Sequence, residues 1–193
     1  MFPAFFLSIG LLIALHIKRK ESPINLILLA AFTVVEAYTV GVLVTFFDQS
    51  VVIQAFFLTA AVVIGLTAFT FQVGYLLSAD YSPESPAYLS DCVTGIPFQT
   101  KRDFSGMHAA LSTGLLILIL GGFLQVFVGN ELTDTALAVG GAFLFSLFII
   151  VDTQMIMTRL SAEEYILATI QLYLDIINLF IEILKILEKV NRK

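Results

Sequence analysis

Tryptophan is absent from this chain, cysteine occurs once, histidine twice, and charged residues fill only 13% of 193 positions. A lone cysteine, Cys92, excludes a disulfide framework and a thiolate metal cluster within one chain, and it leaves the redox compartment undetermined. His16 and His108 fall near the ends of apolar stretches, where an interfacial histidine is ordinary, so neither is assigned a metal. The formal net charge is -5, and the few basic residues sit at the ends of apolar stretches rather than along one stripe; nucleic acid is not an expected partner. Scarcity of charge also excludes an ordinary soluble domain. Hydrophobic residues make up 59% of the chain and the mean hydropathy is +0.96, values that belong to a lipid bilayer.

Long apolar runs are what the sequence has instead. A helix needs roughly 20 apolar residues to span a bilayer, and about six windows qualify or nearly do: 1–17, 24–47, 51–72, 107–128, 135–157 and 165–187. Barrel strands would alternate apolar and polar residues in segments of about ten, so the fold class is all-α, a polytopic membrane protein. The first window is short and lacks the basic start and small-residue cleavage site of a signal peptide. Lys18, Arg19 and Lys20, then Lys101 and Arg102, then Arg159 mark three cytosolic loops, whereas residues 48–50 and 130–134 carry no Lys or Arg. The basic tail, Lys189, Arg192 and Lys193, breaks that alternation, and two readings stay open: a re-entrant last segment, or failure of the charge rule at the tail. Gly121-Gly122 and Gly140-Gly141 are expected to let helices approach closely, and the 18 phenylalanines to face lipid and core.

Two aspartates stand inside the last two apolar stretches, Asp152 and Asp175. A carboxylate at bilayer depth is costly unless it faces a polar cavity, shares a proton or meets a cation. Two of them on neighbouring spans point to a proton or cation site. Measured from the loop near residues 160–162, both fall in the same half of the membrane at ~1.5 Å per residue, so contact is possible. Asn178 and Glu182 lie three and seven residues beyond Asp175 and share its helical face. That polar stripe could line a permeation path with oxygen ligands suited to calcium; the plainer reading pairs Glu182 with Lys185 near the interface.

The stretch 73–99 reads as foreign, with three prolines and matching Phe-Gln pairs on either side, Phe71-Gln72 and Phe98-Gln99. Its removal joins a normal span to a short basic loop. Gln72-Val73-Gly74 can be encoded with a splice-donor-like sequence and Pro97-Phe98-Gln99 with an acceptor-like one, so a translated, unspliced intron is the expectation. A real cytosolic loop with Ser-Pro turns is the alternative.

Outside that stretch the chain resembles the transmembrane Bax inhibitor motif family, and within it the Lifeguard branch, which includes a Golgi anti-apoptotic member. The resemblance is carried by Pro23-Ile24-Asn25-Leu26, by Phe32-Thr33-Val34-Val35-Glu36-Ala37, by Thr100-Lys101-Arg102-Asp103-Phe104-Ser105 and by Phe148-Ile149-Ile150-Val151-Asp152-Thr153. The most specific carrier is Glu163-Glu164-Tyr165 running into Leu172-Tyr173-Leu174-Asp175-Ile176-Ile177-Asn178-Leu179-Phe180. The resemblance implies a seven-helix bundle with the last helix at its centre, of which about six helices are expected here, the leader and first helix of the family being absent. It also implies a cation leak, chiefly calcium, from Golgi or endoplasmic reticulum stores, tied to suppression of cell death. Acids matching Asp152 and Asp175 form the family's pH-sensitive pair and share a proton when the pore is shut. Two close carboxylates in a low dielectric cannot both ionise cheaply, so such a pair titrates as a unit. The resemblance further matches Arg19 to a latching arginine, with Lys18 as its competitor and ordinary topology signalling as the alternative for both. Glu36 matches a recurrent acid of this branch, expected to face a cavity rather than lipid.

Other classes compete. Membrane aspartyl proteases also pair two aspartates, but their Gly-x-Gly-Asp and Pro-Ala-Leu motifs do not occur here, and no nucleophile elbow, His-Glu-x-x-His or phosphate-binding loop is present. The chain is therefore expected not to be an enzyme and to need no cofactor, with calcium as a permeant ion. The alternative to a leak is a non-conducting scaffold that regulates cell death through other membrane proteins. The lipid bilayer and such cell-death regulators are the expected partners.

Overall fold

The structure, a computed structural model, describes residues 2–18, 20–79, 104–158 and 165–192. Within them the chain forms six helices: α1 (Phe2–Lys18), α2 (Ile24–Val44), α3 (Gln49–Ala79), α4 (Phe104–Val128), α5 (Glu131–Thr158) and α6 (Tyr165–Asn191). Each apolar window became a helix, because a segment in lipid must satisfy its own backbone N–H and C=O groups. Four are long and apolar enough to cross a membrane, spanning Ile24–Val44, Gln49–Gln72, Ala109–Val128 and Glu131–Met157. Large apolar side chains on these helices point outward, among them Ile27, Val34, Phe57, Ile64, Ile117 and Phe123, each more than 60% exposed. An outer surface this apolar is covered by lipid tails, and the chain is a multi-pass membrane protein.

Helix ends follow local chemistry. Gly129 closes α4 with φ +61°, the left-handed conformation that glycine adopts without a side-chain clash, and its N–H donates to Gln125 O at 2.9 Å. Asn130 opens α5 by accepting the Leu132 N–H on Oδ1 at 3.1 Å. Two residues therefore suffice to reverse the chain between α4 and α5. Helix α3 does not stop at Gln72 but continues to Ala79, so the first seven residues of the foreign-looking stretch extend that helix. The rest of that stretch, with Cys92, lies outside the described residues.

Helix α6 is the centre of the bundle. Its first half joins Leu15 of α1 and Phe32 of α2 in one buried cluster through Ile166 and Ile170. Its second half joins Val51 and Ala55 of α3 and Phe145 and Ile149 of α5 in another, through Leu179, Ile183 and Leu184. This is the central last helix that the resemblance implied. Helix α6 is amphipathic and the least apolar of the six, with Asp175, Glu182, Lys185, Glu188 and Lys189 along it. Its neighbours supply the apolar surroundings that its sequence lacks.

The course of the last helix bears on the tail. Helix α6 is one continuous helix of 27 residues, about 40 Å at 1.5 Å per residue, and the Lys189 ammonium pairs with Asp134 in the first turn of α5. The last turn of α6 thus lies beside the start of α5, and no re-entrant break is seen. Lys189 is paired with Asp134, and Arg192 Nε, on a largely exposed side chain, lies 3.8 Å from Glu188 Oε1.

Candidate functional site

Sequence spacing allows Asp152 and Asp175 to meet, and the bundle brings them together. They sit on α5 and α6, the two most closely packed helices, at 3% and 8% exposure, and a hydrogen bond joins their side chains. Such a bond between two carboxyl groups needs a proton: one carboxyl donates and the other accepts. Asp175 Oδ2 is fully buried and accepts no hydrogen bond among the described residues. Packing fixes the geometry, since Ile149 one turn before Asp152 and Leu179 one turn after Asp175 are 0% and 1% exposed and share the α3–α5–α6 core. The pair thus borders the apolar core on the side of Ile149 and Leu179.

Sequence reasoning missed the polar residues that continue this site. Thr153 and Gln154 follow Asp152 and are buried at 5% and 8%. Their signal is three successive polar residues inside an apolar run, a pattern in which every direction around the helix meets a polar group. Three consecutive buried polar side chains mark a place where α5 is packed by protein on more than one face.

Glu36 is half-buried on α2, one helical turn after Phe32. Phe32 is fully buried and meets the Tyr173 ring edge-on, with centroids 6.4 Å apart, and Glu36 is close enough to Tyr173 to act on its hydroxyl electrostatically. Glu36 therefore faces α6 rather than lipid, but it is not part of the Asp152–Asp175 contact. In the sequence Tyr173 enters only as part of the motif that carries the resemblance, with nothing to give it a role of its own.

Arg19, the candidate latch, lies outside the described residues. Lys18, its competitor, is engaged elsewhere: its ammonium lies 2.7 Å from Glu21 Oε1, three residues on.

The polar stripe on α6 leads away from the pair. Asn178 and Glu182 line a half-open cavity of about 590 Å³ between α4, α5 and α6, together with Gln125, Asp134 and Lys185; its other walls are apolar, and Ile119 and Val126, 63% and 81% exposed, stand on its outward side. Glu182 and Lys185 are paired at 3.0 Å, so the plainer reading of Glu182 and its cavity-lining reading both hold. Gly141 on α5 makes room for it: a Cβ there would stand 2.9 Å from Glu182 Cγ. Gly121 on α4 likewise receives Leu137 of α5, whereas Gly122 borders the cavity and Gly140 meets only ordinary contact. Close approach is thus confined to one glycine of each doublet.

Among the described residues, no group of three or more His, Cys, Asp or Glu side chains is arranged to hold a metal ion. Oxygen-bearing side chains are instead strung along one face of α6, Asp175, Asn178 and Glu182.

Comparison with known proteins agrees with the resemblance. The family model described as inhibitor of apoptosis-promoting Bax1 matches residues 1–81 and 89–192. Protein lifeguard 4 of Mus musculus is 45% identical over 96% of this chain and 67% of its own length. The Golgi anti-apoptotic protein of Vaccinia virus (strain Lister) is 43% identical over 98% of this chain and 69% of its own length. Bax inhibitor 1 of Schizosaccharomyces pombe is 36% identical over 95% of this chain and 59% of its own. The chain spans about two thirds of the length of the lifeguard and viral relatives. With a matched family model across nearly all of it and a central last helix bearing the buried aspartate pair, the chain belongs to the Bax inhibitor and Lifeguard family.

Proposed function

We propose that this chain is a pH-sensitive cation leak, chiefly for calcium, in a Golgi or endoplasmic reticulum membrane, and that it restrains cell death by lowering store calcium. The observation that carries this reading is the buried, hydrogen-bonded contact between Asp152 and Asp175 across α5 and α6. One shared proton holds the two carboxyl groups together. When that proton leaves, two negative charges face each other in a low dielectric, and their repulsion favours separation of the helices. A rise in pH therefore opens the contact and a fall closes it. A hydrated cation entering the gap replaces the lost proton as counter-charge.

The names of relatives support the cell-death part, since they are called anti-apoptotic protein and Bax inhibitor. Calcium efflux from liposomes holding the full chain, followed across about pH 6 to pH 8, tests the reading. Efflux that climbs with pH, and that loses this climb in both Asp152→Asn and Asp175→Asn, supports it. Efflux absent at every pH, with cell-death suppression retained by both variants, would replace the leak with the scaffold reading.

A further inference from the structure

The cavity between α4, α5 and α6 begins at Asn178, three residues or about 4.5 Å along the helix axis from Asp175. It runs toward the end of the bundle that bears the α4–α5 turn. Two carboxylates face it, Glu182 from α6 and Asp134 from α5, and each is met by a lysine of α6. Lys185 pairs with Glu182 within one helix turn, and Lys189 pairs with Asp134 across 55 residues of sequence. The Lys185 and Asp134 side chains are 40% and 43% exposed, whereas Glu182 is 18% exposed. The set therefore runs from the surface inward. Gln125 adds a buried amide oxygen, Oε1, that accepts no hydrogen bond among the described residues, while its Nε2 donates to Asn130 O at 2.6 Å.

Packing alone does not account for this arrangement. The Glu182–Lys185 pair lies within one helix and ties nothing to anything else. The Glu182 side chain lies against Gly141 of α5, where a Cβ would stand 2.9 Å from its Cγ and 3.1 Å from its Cδ. Acids directed inward, amide oxygens beside them and ammonium groups on flexible stems are the components of an exchange site. A lysine side chain can swing away from a carboxylate, and an arriving cation can take its place.

We infer that this cavity is a cation vestibule in which Lys185 and Lys189 are resident counter-cations, displaced from Glu182 and Asp134 when an inorganic cation enters toward Asp175. The inference rests on the cation-leak reading for its purpose, but its test reads local charge and does not depend on flux.

The test uses the full chain in liposomes, with Cys92→Ser and Asn178→Cys leaving one thiol at the inner end of the cavity. The rate of modification by a cationic thiosulfonate is divided by the rate for a neutral one of equal size, which cancels changes in thiol reactivity. With both lysines present the ratio is near one. In Lys185→Gln/Lys189→Gln the uncovered carboxylates raise it about fivefold or more, the scale of partly exposed ion pairs, and millimolar calcium reverses the rise by competition. Glu182→Gln, which leaves Lys185 without its acid, lowers the ratio by a similar factor and serves if the double variant fails to insert. An unchanged ratio in whichever variants insert overturns the vestibule. A shifted ratio without calcium efflux leaves the vestibule standing and removes the calcium leak; efflux with an unchanged ratio does the reverse.

Discussion

Helices α5 and α6 carry two sets of acids, and they handle negative charge in different ways. Asp152 and Asp175 are 3% and 8% exposed and are joined by a hydrogen bond that a shared proton supplies. Asp134 and Glu182, about 10 Å or more along α6 from that contact, are 43% and 18% exposed and are each paired with a lysine. Burial decides the difference. In the apolar shell around Ile149 and Leu179 a proton is the smallest available counter-charge and needs no space, whereas the cavity has room for an ammonium on a long stem. A shared proton exchanges with solvent as pH changes, so pH sensitivity is expected of the first pair.

The largest expected effect breaks the comparison at the buried pair. In Asp175→Asn the amide donates an N–H to Asp152 without any proton to lose, so the contact survives at all pH values. Wild-type efflux should climb roughly tenfold between about pH 6 and pH 8, within the limit set by release of one linked proton, and the variant should climb by less than about twofold. Phe32→Ala comes next. It removes a fully buried ring from the α1–α2–α6 cluster and from its edge contact with Tyr173, which should cost about 3 kcal/mol of unfolding stability in detergent while leaving pH dependence in place. Gly141→Val sharpens the comparison at the other set. It pushes a side chain into Glu182 and should cost about 1–3 kcal/mol, measured the same way. The smallest effect is the coupling between Asp134 and Lys189. Their side chains are 43% and 25% exposed, so solvent screens the pair, and a double-mutant cycle with Asp134→Asn and Lys189→Gln should give no more than about 1 kcal/mol.

The sequence made some of this legible and hid the rest for identifiable reasons. Asp152 and Asp175 stood out because an acid in an apolar run has no bland explanation, and their spacing from the loop between α5 and α6 already put them in the same half of the membrane. Asn178 and Glu182 were legible as a stripe because helical periodicity is local. Asp134 and Lys189 were not, because each reads alone as an ordinary charge at a span end and only the antiparallel packing of α5 on α6 joins them. Tyr173 was hidden in the same way, since its meaning comes from Phe32 and Glu36 on another helix. Nor could Gly141 be told from its neighbour Gly140, as the difference depends on which of them faces Glu182. The central place of α6 was legible only through resemblance, because its composition falls short of the other spans and its apolar surroundings come from helices distant in sequence.

The central claim is that the shared proton between Asp152 and Asp175 sets the leak. Calcium efflux from liposomes holding the full chain, measured at about pH 6, 7 and 8 for wild type beside Asp175→Asn, addresses it most directly. Wild-type efflux should rise with pH, and that of the variant should stay nearly level. Equal pH dependence in the two proteins would contradict it.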